Sequence, residues 1–288
     1  MCETTTKRFY LGIAEDDGVS MAVLGDEKGN VIGKQQGRSF AYHRLGMAAA
    51  RDNLHSLVRS IPGISRADRL HTVTLAMQSC SVHREDQLCD LVHSVVYTRN
   101  VKFHSFADAA MLGMPGRKPE IVVLTETVGC IVGRSGAGTI CRPAGGGGAV
   151  DMVKAALRRI EQEPHAFGMH EVRHCLLDWL EHPCHSRARV TACAIDALAE
   201  TGNPVALEIV LHGAGALIRG VAAMIRQLGI LSPLIGLCGC VALDSQIVQE
   251  RFCSVMGLLY PNCRIEPAEH APARGAYISS LVPSVIST

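Results

Sequence analysis

The stretch FYLGIAEDDGVSMAVLGDEKGNVIGK, residues Phe9 to Lys34, decides how this chain is read. Its strand-like runs, 8–14 and 19–25, are separated by one tight turn, EDDG, and a second turn, DEKGN, leads into VIGKQQG. Short strand patterns divided by turn residues make an antiparallel three-strand meander. The first turn, AEDDG (Ala14 to Gly18), is notable for carrying three acids side by side.

Working outward, a helical pattern at 44–60 places Leu45, Ala49, Leu54, Leu57 and Val58 near a 3.6-residue period. Strand-like 70–77, helical 84–96, strand-like 101–105 and helical 106–113 follow. The second half opens in the same way, with a meander over 120–126, 128–134 and 138–144 and a helix over 149–162. Further helices are expected at 169–181, 186–201 and 203–228. Strand 233–239, helix 244–259, strand 263–267 and helix 271–282 complete the chain. The order βββαβαβα therefore occurs twice, with extra helices in the second copy, as a repeat of topology with little residue identity. Strand–helix–strand units imply parallel pairings with helices on the sheet faces. The expected fold is α/β with two such lobes, 1–115 and 116–288, and a ligand cleft between them. GMPGRKPE (113–120) reads as the boundary, and the last helix is a candidate to fold back on the N-terminal lobe.

The 288 residues are 48% hydrophobic and 19% charged, which suits a soluble globular protein of one large or two medium domains. A net charge of +1 without a basic stripe gives no electrostatic argument for nucleic acid or an anionic membrane. MCETTTKR is polar and does not read as a signal peptide. The longest apolar region, 205–243, is cut by Arg219, Arg226 and Pro233, which argues against a membrane span. The cytoplasm is the expected location. Twelve scattered cysteines read as reduced core thiols. His174, Cys175, His182, Cys184 and His185 are metal-capable, but their spacing fits no zinc template, and ordinary helix residues explain them more simply. Cys238 and Cys240 are separated by one residue, so they form no C-x-x-C pair and read as a strand ending in a tight turn.

The doubled pattern resembles the actin-like ATPase superfamily, and one branch closely: the N-acetylglucosamine kinase-like, BadF/BadG-type ATPases. The segment 187–229 is similar to that family's helix pair, including the A-x-x-G-(D/N)-P-x-A connection. LIGLCGCVALDS and RIEPAEHAPARGAYI resemble its L-x-G-G-V strand end and its closing P-x-x-G-A helix. The likeness covers residues 8–283. It implies ATP and Mg as cofactors of an active member, a sugar substrate, and a homodimer formed through the C-terminal lobe; the Ala- and Gly-rich helices of 187–228 would suit either that interface or the lobe's own core.

Such kinases need glycine- and hydroxyl-rich turns so that backbone N–H groups reach phosphates, one carboxylate to place magnesium, and another as general base. Carried over residue by residue, the pattern is broken. The first loop resembles G-x-D-G-G-G-T-K-T. Read from Gly12, it sets Ala14 at the metal-placing Asp, Glu15, Asp16 and Asp17 at the glycines, and Gly18 at the Thr. A slip of one or two residues would let Asp16 hold Mg, with Asp17 beside it. The second loop, S-G-T-G-S in the family, is TETVG (Thr125 to Gly129), with Glu126 and Val128 for the glycines; Thr125, Thr127 and Gly129 are the candidate phosphate contacts. The family's base position falls on Phe106, and Asp108 lies two residues on. A first-turn acid favoured by the helix dipole is the simpler reading of Asp108.

On the sugar side, GRSFAYH keeps Ser39 but has Phe40 for an Asn, with His43 nearby. GGGG (145–148), including Gly146 and Gly147, is what remains of a longer sugar-cradling segment, and a plain linker explains it equally well. The adenine-side loop at Gly239 and Cys240 is least altered. The leading expectation is a sugar-kinase-like protein with impaired or absent phosphotransfer, binding a nucleotide or sugar or acting as a regulatory partner. The alternative is an active N-acetylhexosamine kinase using Asp16 or Asp17 for Mg and Asp108 as base. A third is an activator-type ATPase ligating an iron–sulfur cluster through Cys130 or Cys141.

Overall fold

The computed structural model describes residues 8–16, 18–66, 70–77, 85–114, 120–268 and 270–282. Asp17 and the opening MCETTTK, the subject of two sequence expectations, lie outside them. The chain divides into two compact units: residues up to Met114 with those from His270 onward, and Pro115–Glu269.

In the first unit, β1 (Phe9–Asp16), β2 (Val19–Asp26) and β3 (Val31–Arg38) form the meander, followed by α1 (Tyr42–Leu45) and α2 (Met47–Arg59). Then come β4 (Leu70–Met77), α3 (Glu85–His93), β5 (Thr98–Ser105) and α4 (Phe106–Leu112). The sheet order is β3-β2-β1-β4-β5, antiparallel across the meander and parallel from β1 through β4 to β5. Because β1 is covered on both faces, its residues read as a near-continuous buried run rather than an alternation. Leu11, Ile13 and Leu24 pack with Leu54, Leu57, Val73, Leu75 and Leu88 in one core.

The second unit repeats this order. It contains β6 (Ile121–Leu124), β7 (Cys130–Ser135), β8 (Gly138–Pro143), α5 (Ala149–Gln162), α6 (Met169–Glu181), α7 (His185–Glu200) and α8 (Pro204–Leu228). It ends with β9 (Leu234–Cys238), α9 (Cys240–Asp244), α10 (Gln246–Leu259) and β10 (Arg264–Pro267). The sheet order β10-β9-β6-β7-β8 is that of the first sheet, with the same antiparallel and parallel pairings. The βββαβαβα duplication read from the sequence is thus present in both sheets.

The inserted helices surround α8. Asn203 starts it by accepting the N–H groups of Val205 (3.1 Å) and Ala206 (3.0 Å), Pro204 occupies the first turn, and Gly229 ends it with φ +65°. This is the physical content of the G-N-P connection. By length and composition α8 could cross a membrane, yet 61% of that apolar window is buried, and Val210, Leu217, Val221 and Ile225 lie in the core of the unit. Each such side chain contributes about 1.5–3 kcal/mol by leaving water.

The final helix, α11 (Ala271–Leu281), serves the first sheet: it packs on β1, β4 and α4. Backbone approach there is close enough to require glycine. A Cβ on Gly275 would collide with the Ala109 carbonyl, one on Gly113 with that of Ala271, and one on Gly12 with Ala273 and Tyr277. Tyr277 is buried beneath the meander, its hydroxyl donating to the Asp26 carbonyl at 2.7 Å.

The helix expected over 44–60 is broken at Gly46 (φ +79°) into α1 and α2, the one expected over 84–96 ends at His93, and two short elements depart further from the sequence reading. The tight turn expected after Cys238 is a turn of helix, α9, entered through Gly239 at φ +101°. The strand expected at 120–126 stops at Leu124: Thr125 leaves the ladder with β7, its N–H donating to the carbonyl of Cys238 at the end of β9 and its hydroxyl accepting the Ala242 N–H.

Candidate functional site

In the first unit the acidic turn is built around a buried carboxylate. Glu15, on the last rungs of β1, is 2% exposed. It accepts the hydroxyls of Ser20 and Ser39 (2.5 Å to Ser39) and the N–H of Phe40 at 3.2 Å. A carboxylate so buried needs such donors to remain charged without a large desolvation penalty. Ser39, expected as a sugar contact, therefore spends its hydroxyl proton on Glu15, and its oxygen also accepts the Ala41 N–H at 3.1 Å. Asn53 holds the Ser39 carbonyl at 2.7 Å. Asp16 and Gly18 are buried at the same turn, and the Gly18 N–H donates to the Asp16 carbonyl. His43 is exposed on α1, its ring edge-on to Tyr42.

Asp108 stands in the first turn of α4. Ser105 caps this helix by accepting the Asp108 N–H at 3.0 Å, and its hydroxyl donates to the Asp108 carboxylate at 2.6 Å. Phe106, at the position expected for the base, is buried.

In the second unit three predicted loops converge. Glu126 is 8% exposed, and its two oxygens are engaged by the Cys240 N–H (2.9 Å) and by the Arg189 guanidinium (2.8 Å). Thr125 donates its hydroxyl to the Cys238 carbonyl at 3.1 Å and accepts the Ala242 N–H at 2.9 Å. The TETVG turn is thereby bound to the Gly239–Cys240 loop, and a Cβ on Gly239 would collide with the Glu126 backbone nitrogen. Thr127 is buried, and its carbonyl accepts the Val150 N–H at 2.8 Å. Gly129 and Gly148 donate their N–H groups to one oxygen of Asp151, at 2.8 and 3.1 Å. Asp151, in the first turn of α5, thus occupies the positive end of that helix.

Gly146 and Gly147 are buried against α8. A side chain on Gly147 would strike Leu217, and the residue has φ +88°, so packing and backbone conformation both require glycine there. Beside Cys240 lies a pocket of about 190 Å³ lined by Asp196, Glu200, Asp244, Cys193 and Ser245 among others. Burial raises the Asp196 carboxyl above its usual range, and the Ser245 hydroxyl, at 2.6 Å, works against that rise. Burial likewise pushes the Cys240 thiol far up, so it is a neutral core group at neutral pH.

Among the described residues no three His, Cys, Asp or Glu side chains gather as a cation site, the His174–His185 segment included. Cys130 and Cys141 come together on neighbouring strands, their sulfurs 2.8 Å apart.

Sequence reasoning named Glu126 and Glu15 only as residues standing where glycines were expected. Apart from Ser20, five residues from Glu15, their partners lie 63 and 114 residues from Glu126 and 24 and 25 from Glu15, so no local pattern reports them. Asp151 was readable in principle, as an acid three residues after the glycine that precedes α5. Nothing in the sequence pointed to Arg189.

No family model and no curated protein matches the sequence. Solved structures do. A proposed N-acetylglucosamine kinase from Chromobacterium violaceum aligns over 96% of this chain and 100% of its own, with TM-score 0.68 at 13% identity. The fold is that of the actin-like sugar kinases. A ROK family glucokinase from Streptomyces griseus, solved with glucose and AMPPNP, aligns over 94% of this chain and 99% of its own, with TM-score 0.65 at 14% identity. The same sugar-kinase fold also occurs in a ROK family transcriptional regulator, a homologue of the E. coli Mlc protein. It matches at TM-score 0.59 and 10% identity over 95% of this chain and 78% of its own.

Within that fold, backbone donors beside the TETVG turn and at the start of α5 are directed at Glu126 and Asp151. As arranged, the Cys240 N–H and the N–H groups of Gly129 and Gly148 are already taken up by carboxylates of the chain itself.

Proposed function

We propose that this chain is a cytoplasmic, sugar-kinase-like protein whose phosphotransfer is impaired or lost, and which acts by binding a nucleotide or an N-acetylhexosamine. The observation carrying this reading is the set of internal carboxylates, Glu15, Glu126 and Asp151, each holding backbone or hydroxyl donors at an expected ligand-binding turn. Their effect is large on the relevant scale. Two unit charges about 4 Å apart repel by about 4 kcal/mol at an effective dielectric of about 20. One hydrogen bond returns a net of only about 1 kcal/mol. Arg189 offsets part of the Glu126 charge, and the acids lining the neighbouring pocket add to it.

The competing reading is an active ATP-dependent N-acetylglucosamine kinase in which Asp16 or Asp17 places Mg and Asp108 acts as base. Asp108 is half-buried at the start of α4, where a proton acceptor could stand, but its carboxylate is already engaged by Ser105. Titration calorimetry with Mg-ATP, with and without N-acetylglucosamine, separates the two. Our reading predicts weak or no ATP heat and no sugar phosphate formed in the cell. Tight Mg-ATP binding with turnover would replace it by the kinase.

A further inference from the structure

Cys130 opens β7 and Cys141 lies near the end of β8, the edge strand of the second sheet. In the antiparallel ladder Cys130 faces Pro143, and Cys141 lies two residues before Pro143, so both thiols leave the same face of the hairpin as diagonal neighbours. Their sulfurs are 2.8 Å apart, inside the van der Waals contact of two sulfur atoms. Cys141 is exposed and Cys130 half-exposed, so a small reagent can reach them. We propose that Cys130 and Cys141 form a redox-active dithiol that a low-molecular-weight disulfide converts to an intrachain disulfide.

The two sulfurs have distinct roles. Hydrogen bonding from Cys130 lowers the Cys141 thiol to about 7, whereas burial raises the thiols of Cys89, Cys175, Cys193, Cys253 and Cys263. Cys141 is therefore the attacking thiolate. It displaces one thiolate from the small disulfide, breaking that S–S bond and forming a mixed disulfide. Cys130 then loses its proton and attacks the Cys141 sulfur, expelling the second small thiolate. The two cysteines are oxidised by two electrons, the small disulfide is reduced to two thiols, and those thiols take up the two protons.

The position gives the reaction a consequence. Just beyond the pair, Ala144 donates its N–H to the Gly129 carbonyl at 2.8 Å, and the chain enters the glycine loop packed on the TETVG turn. A disulfide would staple the hairpin at this end, slowing the opening of both loops. This holds whether or not the chain binds a nucleotide.

The test uses the full chain treated with glutathione disulfide, digested with trypsin without reduction and read by mass spectrometry. Cleavage yields peptides 118–134 and 135–154, which contain Cys130 and Cys141 as their only cysteines. The expected result is these two peptides joined, within one chain, with loss of two hydrogens, reversed by dithiothreitol. Amide exchange at Ala144–Gly147 should slow at least several-fold in the oxidised form. In Cys130→Ser, glutathione should remain trapped on Cys141. Absence of the joined peptide while other cysteines become glutathionylated, or Cys141 joined to a different cysteine or across two chains, would overturn the proposal.

Discussion

Glu126 ties its own turn to the Cys240 N–H and to Arg189 on α7. On the proposed reading, a glycine at this position would leave the Cys240 N–H open to an incoming phosphate, whereas the glutamate supplies the acceptor itself and engages Arg189 of α7. Removing it leaves a buried donor and a partly buried cation without their partner. Glu126→Ala should therefore lower stability by about 2 kcal/mol, a figure set below that of a fully buried pair because Arg189 retains solvent contact. Urea denaturation reads this directly, and an unchanged midpoint would show that Glu126 holds nothing together. Glu126→Gln, which keeps an acceptor for Cys240, should lose about half as much. Asp108 is predicted to behave as a helix-cap partner: Asp108→Asn should cost no more than about 1 kcal/mol. These roles were not legible beforehand, because charge is visible in a sequence while the distant donor that satisfies it is not. What could be read was that acids stand where glycines were expected.

At the scale of elements, most boundaries were legible because each followed from a short-range cause. The meander shows in its turn residues, α8 in Asn203, Pro204 and Gly229, and β4 in a run of buried apolar residues. Misreadings occurred where a distant contact overrode local pattern. The Thr125 and Glu126 bonds to the Cys238–Ala242 segment shorten β6, and they hold α9 as one turn of helix where the sequence suggested only a bend. The closing helix is the clearest long-range dependence, since α11 completes the packing of β1 although some 255 residues separate them. Gly275 is where this dependence can be probed. Gly275→Val would force the α4–α11 backbones apart and should destabilise the first unit by about 3 kcal/mol or more. Hydrogen exchange should then rise across β1 and β4 while α8 stays protected. A uniform rise over the whole chain would instead mean that the two units unfold as one.

For the whole molecule, both sheets keep the order expected of a doubled actin-like fold, and the retained parts are those on which packing depends: Gly12, Gly113 and Gly275, the Asn203 cap, and the glycines under α8. On the proposed reading, the parts that would face a ligand are the altered ones. We further propose the homodimer through the second unit that the family resemblance implies. Leu177 and Leu180 lie three residues apart on α6 and Val190 on α7, all half or more exposed; sedimentation of the purified chain should give twice its 30.8 kDa mass, and a monomer across the micromolar range would remove the dimer from the proposal. The central claim is that fold and phosphotransfer have separated here. It is tested most directly by incubating the full chain with labelled ATP, Mg and N-acetylglucosamine and measuring labelled sugar phosphate. We expect none above the no-protein background. Sugar phosphate formed by the wild type and abolished by Asp108→Asn would contradict the account and establish a kinase working with displaced acids.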